Sequence, residues 1–279
     1  MLHKPSWLNK KINLSCTHSL KKTLRIFGLR TVCEESLCPN ISECFNRGVA
    51  TFMILGDTCT RKCKFCAVKK GTPTRIVEEE PRRIKQAVER LCLRYVVITS
   101  PTRDDLPDGG AQSFCRTVSQ IKDMDQSIKV EVLIPDFLGN RTILNKIAQC
   151  GADVIAHNME TVASLYNKVR SGADYQRSLG VLKQVKEANR GVYTKSGLML
   201  GLGEDKEEVI ETLRDLRQVG CDFLTLGQYL APSRRHWPVN EYVSPKKFRY
   251  FEKVASYLGF KKLKSSPYVR SSYLAHTFL

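Results

Sequence analysis

The chain has 279 residues, 42% of them hydrophobic, eleven cysteines and a formal charge of +17. That length supports one large barrel or two modest domains, and no apolar run approaches the ~20 residues that a bilayer crossing needs. The N-terminus, Met1-Leu-His-Lys-Pro-Ser-Trp-Leu8, lacks the apolar stretch that directs secretion, and six cysteines crowd between Cys33 and Cys66. A secreted disulfide scaffold would not cluster them so tightly, so a reducing, cytoplasmic compartment with a metal site is expected.

Residues 1–50 read as an irregular N-terminal extension. Within it, Cys33, Cys38 and Cys44 are spaced by four and five residues, and Pro39-Asn40 favours a turn that folds the thiols together. Singly, each would read as a buried structural cysteine. A second triad, Cys59, Cys63 and Cys66, follows after only fourteen residues, and two such triads point to two metal centres. Cys59-Thr-Arg-Lys-Cys63-Lys-Phe-Cys66 must curl around what it binds, because an extended strand would send its thiols to both faces. Zinc and a redox dithiol are the plain readings of a Cys-x2-Cys pair. Structural zinc takes four ligands, however, and no fourth follows at ribbon-like spacing. Three thiolates suit a four-iron cluster with one iron left open.

From residue 51 the pattern alternates. Strands are predicted over 51–55, 95–99, 129–134, 153–157, 193–199 and 223–227. Helices are predicted over 79–93, 111–124, 141–149, 160–170, 175–188 and 205–219. In the last of these, Val209, Leu213 and Leu216 form one apolar stripe. Six β-then-α units predict a parallel sheet curled into an incomplete (β/α)6 barrel, with a doubly wound open sheet as the alternative. Ligands gather at the C-terminal ends of strands in such folds. The loops there are the Cys59–Cys66 loop, Ser100–Gly110, His157-Asn-Met-Glu160 and the glycine-bearing Gly197–Glu204. A dinucleotide fingerprint is excluded in the last, since Lys206 stands where its third glycine would be.

Cys59/Cys63/Cys66, with an aromatic before the third cysteine, resembles the radical SAM signature, in which S-adenosylmethionine chelates the open iron. Over nearly its full length the chain resembles the lipoyl synthase family. The resemblance is carried by Lys4-Pro-Ser-Trp-Leu8, both triads, Asp104–Gly110, Val130–Asp136, His157–Thr161, Ala173–Leu179, Thr194–Glu204, Leu224–Leu230 and Tyr268-Val-Arg-Ser-Ser-Tyr273. The first triad together with the terminal Arg-Ser-Ser-Tyr is the most discriminating pair.

The resemblance implies a radical SAM barrel over residues 51–260, with auxiliary-cluster cysteines in 1–50 and a site-closing tail at 261–279. It implies two 4Fe-4S clusters. One, on Cys59, Cys63 and Cys66, would cleave S-adenosylmethionine to a 5′-deoxyadenosyl radical. The other, on Cys33, Cys38, Cys44 and Ser272, would surrender sulfur to C6 and C8 of an octanoyl group on a carrier lysine. Phe65, Gly201 and Glu204 are expected along the adenosine. Implied partners are octanoylated lipoyl carrier domains (2-oxoacid dehydrogenase E2, glycine cleavage H protein), a ferredoxin or flavodoxin as electron donor, and an iron–sulfur carrier protein, with no nucleic acid and no membrane. One departure is visible: Ser100-Pro-Thr-Arg103 stands where the family more usually has Ser-Val-Asp-Arg, so Thr102 replaces a carboxylate and cofactor affinity is put in question.

Two rival classes are a tRNA-thiolating radical SAM enzyme and a non-catalytic iron–sulfur or zinc protein that binds nucleic acid. The first usually carries an RNA-binding domain for which no segment is left, and the second needs no glycine loop. The charge fits a nucleic-acid footprint, an acidic protein partner or a plain soluble surface. Its basic pairs, from Lys10-Lys11 to Lys261-Lys262, are scattered and not interleaved with aromatics.

Overall fold

Apolar β-branched runs alternating with amphipathic segments give parallel strands connected through helices. The computed structural model describes residues 3–9, 18–46 and 51–279, so the Lys10-Lys11 pair and Cys16 lie outside the described residues. In chain order the elements are α1 (His18–Ile26), β1 (Arg30–Thr31), α2 (Val32–Glu35), α3 (Ile41–Asn46), β2 (Thr51–Met53), β3 (Thr58–Cys59) and β4 (Lys69–Lys70). Then come α4 (Glu80–Arg90), β5 (Tyr95–Thr99), α5 (Ala111–Met124), β6 (Lys129–Leu133), α6 (Arg141–Ala148), β7 (Val154–Ala156), α7 (Tyr166–Val169) and α8 (Tyr175–Ala188). The series ends with β8 (Tyr193–Leu200), α9 (Lys206–Gln218), β9 (Phe223–Gln228), α10 (Pro245–Tyr257) and β10 (Lys262–Ser265).

The main sheet has the order β1-β2-β5-β6-β7-β8-β9-β10. Every neighbouring pair from β2 to β10 is parallel, and only β1 joins antiparallel, pairing Arg30 with Met53. Spatial order follows chain order without reversal. A doubly wound sheet would reverse at a switch point, so the fold is the incomplete barrel, open between its edges. Helices cover the outer face: Val209, Leu213 and Leu216 of α9 are buried, and a capping box of Asp205 with Glu208 starts that helix.

Three differences from the expected elements have physical causes. The predicted helix over 160–170 is mostly absent: Glu160 has φ +67°, and only Tyr166–Val169 is α-helical. Glu160 instead bridges to Leu198 beside β8. Helix α10 and strand β10 were not anticipated. Ser244 caps α10 and Pro245 starts it, but β10 reads Lys-Leu-Lys-Ser, too polar to signal a strand; pairing with β9 makes it one. Finally, Cys92, within the predicted 79–93 helix, is exposed just past α4, whereas Cys115 and Cys150 are half-buried and Cys221 is buried.

After β10 the chain turns back over the strand ends. Gly227 of β9 is required there, because a Cβ would stand 2.0 Å from the Val269 carbonyl oxygen. The tail finishes with Phe278 buried against Phe223, their ring centroids 5.3 Å apart.

Candidate active site

The cysteine loop leaves β2 through Leu55 and Gly56, both at positive φ. It then closes on itself where Thr58–Cys59 pairs with Lys69–Lys70. This curl brings Cys59, Cys63 and Cys66 to one cavity of about 190 Å3 at the C-terminal ends of the strands. Ser100, Pro101 and Thr102 from the loop after β5 line it too, as do Asp136, Asn158, Glu160 and Arg170. The Thr102 carbonyl oxygen accepts from the amide and hydroxyl of Thr60, each at 3.0 Å, tying that loop to the cysteine loop.

Between the first two cysteines, Arg61 turns inward. Its guanidinium donates to both Asp136 carboxylate oxygens, at 2.6 and 2.9 Å, and to both of Asp104, at 2.8 and 3.0 Å. Arg177 on α8 adds a third arm to Asp136 at 2.8 Å. Burial opposes ionisation of Asp136, but the Arg61 guanidinium outweighs it and holds the carboxyl far below the usual range.

The thiols show the opposite imbalance. Burial pushes Cys66 up to about 12; the Val68 amide works against this, and the neighbouring Cys63 and Cys59 add to it. Burial likewise raises Cys63, against the attraction of Arg170. Backbone amides already point at sulfur, that of Arg61 lying 3.4 Å from Cys59 Sγ.

A second cavity, of about 410 Å3, adjoins the first. Cys33 and Cys38 line it, together with Gly197, Leu198 and Met199 of β8, Tyr229, and Arg270, Ser271 and Ser272 of the tail. Cys44, on α3, is near enough to Cys33 for thiolate repulsion: Cys33 is pushed up to about 12 chiefly by burial, with Cys38 and Cys44 contributing. The extension and the tail hold each other. Asn40 Nδ2 donates to the Tyr268 carbonyl at 2.6 Å, Tyr273 Oη to Glu43 at 2.8 Å, and Tyr268 Oη to the Leu8 carbonyl. The two adjacent serines differ. Ser271 Oγ lies 3.0 Å from Asn158 Nδ2, whereas the hydroxyl of Ser272 makes no hydrogen bond among the described residues and faces the second cavity.

Phe65, Cys66, Asn158 and Glu160 belong to both walls. Gly201 and Glu204, by contrast, front neither. The Glu204 carboxylate accepts from the amides of Gly201, Leu202 and Gly203. A Cβ on Gly201 would meet the Glu241 carbonyl oxygen at 2.2 Å, so both residues shape the turn after β8. His236 bonds to Ser233 in the rim loop.

Sequence reasoning noted His157–Glu160 only as a rim loop and passed over Arg61, Asp136 and Arg170. The left-handed backbone of Glu160 is a sign of a constrained functional position, but nothing in a single sequence announces it. Another depression, of about 580 Å3, lies at the opposite end of the sheet beside Lys129, Tyr193 and Lys262, and carries none of the predicted residues.

Among the described residues no three His, Cys, Asp or Glu side chains are grouped to hold a single metal ion. A four-iron cluster makes a different demand, since each thiolate binds its own iron. The donor set fits such a cluster: three free thiols face one cavity, and the cost of ionising Cys63 and Cys66 there is what cluster iron would offset. Polar groups for a small ligand are also present. Ser100 Oγ and Asn158 Oδ1 are buried without a hydrogen-bond partner at the wall that carries the Glu160 carboxylate and the Arg170 guanidinium.

Residues 53–216 match the Radical SAM superfamily. The chain is 53% identical over 273 residues to lipoyl synthase of Caldicellulosiruptor saccharolyticus, covering 98% of this chain and 96% of that one. It is 54% identical over 264 residues to lipoyl synthase of Aquifex aeolicus, covering 95% and 96%. The chain belongs to the lipoyl synthase family of the radical SAM superfamily. Solved structures share the fold of this lipoyl synthase family member at low identity. Methylornithine synthase superposes with a TM-score of 0.57 at 15% identity, over 90% of this chain and 71% of that one. A maturase of the FeFe-hydrogenase gives 0.56 at 15% identity, over 91% and 68%.

Proposed function

We propose that this chain acts as a lipoyl synthase, inserting two sulfur atoms by radical chemistry at C6 and C8 of an octanoyl group on a lysine of a lipoyl carrier domain. The observation that carries the reading is the shared wall: an alkyl chain lying along Phe65 and Cys66 would meet one thiol set on either side. Cys59, Cys63 and Cys66 would hold the cluster that works with S-adenosylmethionine. Cys33, Cys38, Cys44 and Ser272 would hold a second 4Fe-4S cluster as the sulfur source. When bound, these groups supply one-electron and sulfur-transfer chemistry that side-chain acids and bases lack.

The chain's own residues bind, orient and shield. Leu133, Leu198 and Met199 present apolar surface that excludes water and suits an alkyl chain. Asn158 and Glu160 offer a polar edge where the cavities meet, and Phe65 offers a ring face to an adenine. The unbonded hydroxyl supports Ser272, rather than Ser271, as the oxygen ligand. Oxygen is a harder ligand than thiolate, which favours early release of the iron it holds.

The division of labour then runs from 1–50 (sulfur-source cysteines), through the 51–260 barrel, to the 261–279 tail over the mouth. Octanoylated 2-oxoacid dehydrogenase E2 domains or glycine cleavage H protein are the proposed carriers. A ferredoxin or flavodoxin would deliver electrons, and an iron–sulfur carrier protein would restore the second cluster. No described helix is long and apolar enough to cross a membrane, and we place the reaction in the cytoplasm.

The test is anaerobic turnover of an octanoyl-lysyl peptide followed by mass spectrometry. Cleavage of S-adenosylmethionine with a mass gain of two sulfurs on the peptide is expected. A zinc-filled protein that leaves both untouched would end the reading.

A further inference from the structure

The mouth of the paired cavities carries charge that the protein leaves unanswered. Along the cysteine loop, Arg61, Cys63 and Phe65 line the cavity wall while the alternating Lys62 and Lys64 are exposed. Across the opening, Pro232 lines the second cavity, and Arg234 and Arg235 directly after it are exposed. The Trp237 amide donates to the Lys64 carbonyl at 2.9 Å, and the Lys64 ammonium sits 5.3 Å from the Trp237 ring centroid, so the loops form one continuous rim. Exposed cations elsewhere are of both kinds: Arg94 pairs with Asp125 and Arg116 with Glu78, while Lys246, Arg249 and Lys253 of α10 have no acidic partner among the described residues, so what distinguishes the rim four is their place at the cavity mouth. Among the described residues, Lys62, Lys64, Arg234 and Arg235 enter no ion pair.

A substrate delivered on a lysine arm reaches inward no further than the arm's length. The surface around that lysine must therefore sit on this rim. We propose that Lys62, Lys64, Arg234 and Arg235 form the docking surface for the carrier and that the face it presents is acidic; this rests on the lipoyl synthase reading above. Complementary charge across a rim raises the encounter rate and orients the partner more than it deepens affinity. It is screened as ionic strength rises.

The experiment compares the reconstituted holoenzyme with the triple variant Lys62→Glu/Arg234→Glu/Arg235→Glu. A second variant, Lys246→Glu/Arg249→Glu/Lys253→Glu, makes the same charge change on exposed positions of α10. The probes are an octanoylated lipoyl domain, an octanoyl-lysyl peptide with neutral flanks, and bulk tRNA. The rim variant should associate with the domain on the order of tenfold more slowly at low salt, with the gap closing by high salt. Its KM for the domain should rise several-fold more than its KM for the peptide. Iron content and circular dichroism verify folding, and the α10 variant should match the unmodified protein.

Equal association rates for the two variants would overturn the proposal, as would parallel KM shifts for domain and peptide. Loss of tRNA binding in the rim variant with domain association intact would overturn it in favour of a nucleic-acid face. Absence of sulfur insertion by the unmodified enzyme on either octanoyl probe would strike the function instead, and the association rates would still decide the surface.

Discussion

The two thiol-bearing regions are held together by different physics. The Cys59–Cys66 loop is pinned from within the barrel by Arg61, whose side chain is 6% exposed and whose partner Asp136 is wholly buried. Paired, bidentate, charge-assisted bonds of this kind fix geometry tightly. The Cys33–Cys44 arm is held instead by Asn40–Tyr268, Glu43–Tyr273 and Leu8–Tyr268. These hydrogen bonds link the N-terminal arm to the C-terminal tail, beside the β1–β2 pairing and the burial of Leu29 and Phe45 that seat the arm on the core. The two bonds to backbone carbonyls contribute about 1 kcal/mol each, and the one to the Glu43 carboxylate about 1.5–3 kcal/mol. One site is thus held by a buried ion-pair network inside the barrel, and the other by a clasp between segments far apart in the chain. In the proposed function the first would be the centre that works with S-adenosylmethionine and the second the sulfur source.

The sharpest way to break the comparison is to empty the fixed site. Replacing Cys59, Cys63 and Cys66 by Ala should abolish S-adenosylmethionine cleavage and lower iron from roughly eight to about four per chain, because each 4Fe-4S centre accounts for half. Iron analysis and the surviving spectrum check it, and full loss of iron would mean that the sites do not form independently. At the other site, Ser272→Ala should retain S-adenosylmethionine binding yet lose sulfur insertion, whereas Ser271→Ala, which removes only the contact to Asn158, should retain most turnover. Lipoyl formation by Ser272→Ala at the normal rate would remove that residue from the ligand set.

Next in size is Asp136→Ala. Stripping one member from a buried ion pair costs about 3–5 kcal/mol, here leaving Arg177 without its carboxylate partner and Arg61 with Asp104 alone. Urea unfolding should register that loss, and the Cys59–Cys66 centre should be impaired before the other. The smallest effect is expected from Asn40→Ala, about 1 kcal/mol in the same measurement, with faster iron loss to a chelator confined to the second centre. Equal lability of both centres in Asn40→Ala would erase the distinction between them.

Much of this was legible in sequence because the signals were local. Val96–Ile98 is an apolar run that suits a strand buried on both faces, and thiols at the density of Cys33–Cys66 have few uses besides metal. What escaped depended on distant partners. Lys262–Ser265 becomes a strand through β9, not through its own residues. Arg61 in isolation reads as a solvated charge, since Asp136 lies 75 positions away. Glu160 was placed in a helix because its neighbours allow one, and its bridge to β8 overrides that preference. Gly201 and Glu204, expected along the adenosine, also hold the turn after β8, a role that depends on the Glu241 carbonyl forty residues on.

The clasp between arm and tail also sets an order of manufacture. Asn40 waits for a carbonyl 228 residues downstream and Glu43 for a hydroxyl 230 downstream. A ribosome delivers the thiols of Cys33, Cys38 and Cys44 long before it delivers Tyr268, Tyr273 or Ser272. The arm therefore emerges with its cysteines unfastened, and its site cannot be completed while translation is still short of the tail. With the proposed ligand set, loading of that centre would follow translation, and nascent chains stalled before residue 268 should be the ones most exposed to thiol oxidation.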